Sequence, residues 1–305
     1  MNRAEFEMLE RCPPGRAAPS PPPEGFKETW GGPAFPCEGA RSAPVVRWRD
    51  GTRSELDDWL TEEVPIALEF NGVSHAVMLA TPADLEDFAL GFGLAEGIFE
   101  SGADLYGCEI EPSAHGITVQ MDVSSRCFAA LKARRRTLAG RTGCGVCGTE
   151  SLDQVLRPVP VVTTAERMHA NAIARAMREM REHQVLCQAT GAVHAAAWCS
   201  IDGAVLLARE DVGRHNALDK LIGALARATL SRGPGFIAVT SRASVEMVQK
   251  AAVAGAPLLA AVSAPTSLAV ETADAVQMAL VGLARQGNLV VYAHAERVVF
   301  AEQGH

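Results

Sequence analysis

From residue 216 onward the chain alternates helix and strand signals without a break, and this alternation restricts it to a sheet with helices packed against it. Amphipathic spacing over residues 216–229, 245–254 and 268–277 is interleaved with short apolar runs at 236–240, 258–262 and 289–292. Short apolar runs bounded by polar turns read as buried strands, and helices between them are the usual connection for strands lying side by side. The predicted fold class is α/β, and no internal repeat is present.

A chain of 305 residues, 48% of them hydrophobic, can bury one large core or two moderate ones. Its net charge of −8 argues against a general binder of nucleic acid or membrane surfaces, so any anionic ligand has to be met by a local basic patch. The first residues carry Glu5, Glu7 and Glu10 without an apolar segment, which argues against a secretory leader. The longest apolar stretch, 251–262, contains Gly255 and Pro257 and falls short of the ~20 residues that span a bilayer. Eight cysteines in such a chain suit reduced thiols in a cytoplasmic protein.

Ahead of the alternating region the chain divides by composition. Nine of the seventeen prolines fall at or before Pro44, so residues 1–43 read as a disordered Pro-rich tail. Residues 44–140 form a smaller α+β region, part of which can complete the main unit. Within it, strands at 64–70 and 73–79 flank Asn71-Gly72 as a hairpin, followed by a helix over 81–97. There Thr81 serves as the expected N-cap, with Pro82 in the first turn. Strands at 106–110 and 117–123 and a helix at 126–138 lead into a mobile loop, 141–160. The α/β domain occupies 161–305, opening with a long helix at 164–183 and a hairpin over 195–207 around Asp202-Gly203.

The loop holds Arg141-Thr142-Gly143-Cys144-Gly145-Val146-Cys147-Gly148. Glycines permit close approach, and the C-x-x-C spacing can lower a thiol's pKa to yield the nucleophilic thiolate. Metal ligation, dithiol redox and sulfur carriage all fit this pattern. A structural zinc site takes four ligands, and Cys187, Cys199 and His194 are the residues available to complete one. A zinc deaminase places H-x-E before P-C-x-x-C, whereas here His294-Ala295-Glu296 follows the cysteines and Gly143 stands in the proline's place. A thioredoxin-like pair belongs at a helix N-terminus early in a βαβ unit, and this one lies between glycines.

Polar groups gather at the ends of the predicted strands. Arg209-Glu210-Asp211-Val212-Gly213-Arg214-His215-Asn216 joins a strand to a helix, the position where α/β proteins place binding groups. Ser241-Arg242-Ala243-Ser244 opens the next helix, and Ser263-Ala264-Pro265-Thr266-Ser267 repeats the pattern one strand later. Hydroxyls and free amides at a helix start suit either a phosphate or a plain cap. His194, set among small residues at Thr190–Ala197, is a secondary candidate.

These motifs, in this order and together with 81–97 and 190–197, resemble the FdhD family of accessory sulfurtransferases of formate dehydrogenase. The likeness covers about 45–292. It implies a three-layer helix-sheet-helix sandwich resembling cytidine deaminases without their zinc centre, with a smaller α+β N-terminal domain, assembled as a homodimer. It implies that Cys144 accepts persulfide sulfur from a cysteine desulfurase, assisted by Cys147, and passes it to the Mo- or W-bis(molybdopterin guanine dinucleotide) cofactor destined for the formate dehydrogenase apoprotein. The cofactor is then a bound substrate, contacted by the segment Leu283, Ala284, Arg285, Gln286, Gly287 and Asn288, with Arg214, His215, Ser241, Arg242, Ser263 and Thr266 on the neighbouring strand ends. A non-catalytic cofactor-binding chaperone and a zinc-dependent deaminase-like hydrolase are the alternative functions.

Overall fold

A computed structural model describes residues 38–139, 159–228 and 233–300. Cys144 and Cys147, with the loop that carries them, lie outside the described residues.

The larger sheet has six strands: β8 (His194–Ser200), β9 (Val205–Asp211), β10 (Gly235–Val239), β11 (Leu258–Ala261), β12 (Ala279–Arg285) and β13 (Asn288–Ala293). Their order across the sheet is β13-β12-β11-β10-β8-β9. The three central strands β10, β11 and β12 run parallel, and β8, β9 and β13 are antiparallel to their neighbours. Central strands are apolar on both faces because both faces are covered. Ile237, Val239, Leu259 and Ala261 meet the helices Arg214–Arg227 (here α5), Val245–Val253 (α6) and Ser267–Ala275 (α7) on one side. Phe236, Ala238, Leu258 and Ala260 meet Ala170–Glu179 (α3) on the other.

A second sheet of four strands precedes it, built from β3 (Val64–Phe70), β4 (Val73–Ala80), β5 (Leu105–Ser113) and β6 (Gly116–Val123), in the order β4-β3-β6-β5. In β3 the alternation is plain: Ile66, Leu68 and Phe70 are wholly buried, while Pro65 faces solvent. Phe88 and Phe92 of α1 (Leu85–Ala95) and Cys127 and Leu131 of α2 (Ser125–Ala139) cover the inward face. Burial of each such aromatic contributes roughly 1.5–3 kcal/mol. Because α1 also packs on α5, this helix is apolar nearly all round and joins the two sheets.

Three expectations are corrected. Thr81 is not an N-cap: α1 starts at Leu85 after Asp84 at φ 52°, and Thr81 is buried with its hydroxyl accepting from the Val212 N–H at 3.2 Å. The helix expected over 164–183 is shorter, because Met168–His169 (β7) pairs in parallel with Val298–Val299 (β14) and α3 begins only at Ala170. A 3-10 turn, Met180–His183, then leads to α4 (Val185–Thr190). A ribbon of β1 (Ala40–Arg49) and β2 (Thr52–Thr61) precedes the first sheet, and β1 takes in residues 40–43 that composition assigned to the tail. Its Ala40 is wholly buried against Leu186 and Val193.

No helix among the described residues is long and apolar enough to cross a membrane.

Candidate functional site

The parallel strands β10, β11 and β12 all deliver their C-terminal ends to one edge of the sheet, and antiparallel β8 and β9 bring their start and end to the same edge. His194 opens β8 directly opposite Asp211, the last residue of β9. The sequence-predicted groups therefore converge: Arg214 and His215 follow β9, Ser241 and Arg242 follow β10, Ser263 and Thr266 follow β11, and Leu283 to Asn288 turn from β12 into β13. Backbone bonds continue the ladder past the strands, from the Ser263 N–H to the Ser241 carbonyl (3.4 Å) and from the Leu283 N–H to the Ser263 carbonyl (3.2 Å). Four strand spacings of about 4.8 Å separate β12 from β9, so the row of groups runs for roughly 19 Å. That reach suits an extended ligand.

Each turn along the row has its own local cause. Thr266 caps α7, its hydroxyl accepting from the Ala269 N–H at 3.3 Å. The turn it belongs to presses onto β12: a Cβ on Gly282 would come within 2.8 Å of Pro265, so only glycine fits there. Directly beyond, Leu283 takes φ 53° in a bulge, a conformation that costs a β-strand leucine energy and re-aims the backbone at the strand end. Gln286 (φ 53°) and Gly287 (φ 81°) form the two-residue turn, in the left-handed pair of conformations a tight hairpin requires. Arg285, Gln286, Gly287 and Asn288 are exposed and Ala284 is buried.

The electrostatics favour an anion. Arg242 projects into solvent, and the Nε of Arg214 is buried without a hydrogen-bond partner. His215 Nε2 lies 2.9 Å from Glu246 Oε2. Burial first, and then Arg214, push the His215 imidazole below its ordinary value against the pull of Glu246. His194 is lowered by the same two causes, with Asp211 opposing. Not every hydroxyl is free: Ser241 donates to the Arg242 carbonyl (2.9 Å), and Ser244 donates to Glu246 (3.2 Å).

Much of the charged stretch 209–216 is framework. Arg209 donates to Asp87 of α1 at 2.7 Å, and Glu210 accepts from the Leu186 and Cys187 N–H groups that begin α4. Asp211 and Asn216 are buried. Sequence reasoning did not single out Lys220, wholly buried with its ammonium 2.7 Å from Asp211, or the Lys250–Asp219 pair at the same distance. Nothing in their spacing distinguishes them from lysines on a solvated helix face.

Among the described residues, those considered for zinc form no site. His194 and Cys199 stand at opposite ends of β8, about 17 Å apart at strand rise. His294 and Glu296 contact each other at 2.8 Å beside Asp274, at the sheet edge opposite the converging turns. No group of three metal-ligating side chains occurs among the described residues. Cys199, Cys108 and Cys127 are poor nucleophiles: burial pushes Cys199 up to about 12 and Cys108 up to about 11, and raises Cys127 as well.

A family model described as the FdhD/NarQ family matches residues 61–299. Proteins named sulfur carrier protein FdhD are similar over most of the chain. That of Variovorax paradoxus (strain S110) is 59% identical, covering 79% of this chain and 87% of its own length. Those of Cupriavidus necator (57%; 83% and 88%) and Bordetella petrii (55%; 84% and 93%) follow the same pattern. A crystal structure of a candidate formate dehydrogenase accessory protein from Desulfotalea psychrophila shares the fold, with a TM-score of 0.68 at 23% identity over 86% of this chain and 100% of that one.

Proposed function

This chain belongs to the FdhD/NarQ family, and from that premise we propose that it is a sulfurtransferase, a sulfur carrier accessory to formate dehydrogenase. The Cys144 thiolate attacks the outer sulfur of a persulfide on a cysteine desulfurase; the donor's cysteine leaves as thiolate and Cys144 holds the sulfane sulfur. Cys144 then delivers that atom to the metal of the Mo- or W-bis(molybdopterin guanine dinucleotide) substrate and leaves as thiolate. The metal supplies the two electrons that take sulfane sulfur to sulfide. Cys147 assists the relay.

The observation that carries this reading is the Gly-Cys-Gly-Val-Cys-Gly motif in a chain of this family whose described thiols are mostly held protonated by burial. The row of turns supports the substrate assignment. Arg285, Arg242 and Arg214 offer guanidinium forks along an edge long enough for a dinucleotide arm, with helix N-termini between them. The helix-sheet-helix layering supports the likeness to cytidine deaminases. A cytoplasmic location and a homodimer belong to the same proposal.

The deciding experiment is mass spectrometry of the Cys144 peptide after incubation with a cysteine desulfurase and cysteine. One added sulfur on Cys144 is expected. A peptide that stays unmodified while the protein still retains the pterin cofactor would instead make it a non-catalytic chaperone.

A further inference from the structure

The two residues that flank Arg214 and His215 hydrogen-bond to one carboxylate. Asp211 Oδ1 accepts from the Gly213 N–H at 2.8 Å and from the Asn216 side-chain amide at 2.9 Å. Its Oδ2 accepts from the Thr81 N–H at 3.0 Å and pairs with Lys220 Nζ at 2.7 Å. Lys220 also donates to the Thr81 carbonyl at 3.0 Å. Asn216 reaches on to the Leu79 carbonyl at 2.9 Å, and the Thr81 hydroxyl accepts from the Val212 N–H at 3.2 Å. The turn is packed so closely that a Cβ on Gly213 would lie 2.8 Å from the Asn216 amide.

Both charges are wholly excluded from water. Buried ion pairs are commonly no better for stability than apolar residues of the same shape, so stability alone does not account for the pair. What the network does is geometric. It clamps the backbone immediately before and after Arg214–His215, holds the strand end where His194 faces Asp211, and ties both to the chain leaving β4.

We propose that Asp211 and Lys220 are positioning residues for the anion-binding edge, fixing Arg214, His215 and His194 as one rigid group without touching the ligand. The inference deepens the substrate reading above and rests on it for the identity of the ligand. The groups facing His215 are Arg214 from its own helix and Glu246 and Lys250 from α6. If the clamp fails, His215 loses this fixed setting while the rest of α5 stays packed.

The test uses the full chain. Because Asp211→Asn alone leaves Lys220 charged and buried, the variant of choice is the double substitution Asp211→Asn with Lys220→Met, which removes both charges together. Two readouts are taken: the imidazole titration of His215 followed by NMR, and GDP affinity by calorimetry. The double variant is expected to fold, to show His215 titrating closer to the ordinary value, and to bind GDP at least tenfold more weakly. An unchanged titration of His215 in the folded double variant would overturn the positioning role. If the variant does not fold, Asn216→Ala, which removes one arm of the clamp, takes its place and is expected to shift His215 in the same direction; an unmoved His215 there overturns the proposal as well. Failure of the wild-type protein to bind GDP would count against the nucleotide reading alone, because the titration still decides the clamp.

Discussion

Gly91 of α1 and Gly223 of α5 hold the two helices backbone to backbone: a Cβ on Gly91 would lie 1.7 Å from the Asp219 carbonyl oxygen, and one on Gly223 would lie 1.9 Å from the Asp87 carbonyl oxygen. Neither position requires a left-handed backbone, so the need for glycine is one of space. Gly223→Ala is expected to push the helices apart and to cost about 3 kcal/mol, near the upper end for overpacking, because backbone cannot yield as a side chain would. Urea denaturation of the variant measures it, and a loss close to zero would mean that the helices are not in contact.

The two histidines on the sheet edge give the protein a signed pH dependence. Both are held below the ordinary 6.5 of an unfolded imidazole, by burial first and then by Arg214. A depressed folded value means the unfolded chain binds protons first as pH falls, so this contribution to stability is complete above 6.5 and is lost as pH drops toward the folded values. His194→Gln removes one of the two titrations. Denaturation midpoints between pH 8 and pH 5 are therefore expected to fall less steeply in the variant than in the wild-type protein, and parallel slopes would exclude a half-buried His194 held below its ordinary value.

What could be read from sequence follows how local each signal is. The 64–79 hairpin was legible because alternation and Asn71-Gly72 agree, and Asn71 (φ 47°) and Gly72 (φ 73°) adopt the left-handed pair that such a turn demands. Strand β12 escaped because the helix before it ends without a glycine: Gln277 takes the left-handed position at φ 59°, and the apolar run that follows has no turn residue to announce it. The β1–β2 ribbon went unread although Asp50 and Gly51 make its left-handed turn, because its strands are largely exposed and their apolar residues do not alternate with polar ones. The site was legible as separate strand-end motifs. Which of their charges face outward was not, since Arg214 and Asp211 differ only in what the fold places against them.

The tight turn that carries the proposed cofactor segment contains a correctable strain. Gln286 occupies the left-handed region at φ 53° ahead of Gly287, where asparagine is better tolerated because its short amide bonds locally. Gln286→Asn is expected to raise stability by about 0.5–1 kcal/mol, measured as a shift in denaturation midpoint. A neutral result would point to a contact of the Gln286 side chain that offsets the strain.

Arg285 is exposed at the base of that turn, opposite Asn288 in the β12–β13 register. A guanidinium bonded to a phosphate or guanine forms charge-assisted contacts worth about 1.5–3 kcal/mol, so Arg285→Ala is expected to weaken guanine nucleotide binding roughly tenfold or more. Since an exposed side chain contributes little to folding, the melting temperature stays where it was. Unchanged nucleotide affinity by calorimetry would remove this turn from the site.

The two cysteines of the motif are separable by experiment because the proposed chemistry gives them unequal tasks. If Cys144 is the sulfur acceptor, Cys144→Ala leaves no thiolate to attack the donor, and a formate dehydrogenase matured with that variant is expected to contain its metal and remain inactive. Cys147→Ala keeps the acceptor, so its Cys144 peptide is expected to gain sulfur from the desulfurase, with any defect confined to the later transfer. Circular dichroism of both variants matching the wild-type protein ensures that the comparison concerns chemistry. Activation by the Cys144 variant at the wild-type level would overturn the assignment, and loss of sulfur loading in the Cys147 variant would make the pair, and not Cys144 alone, the acceptor.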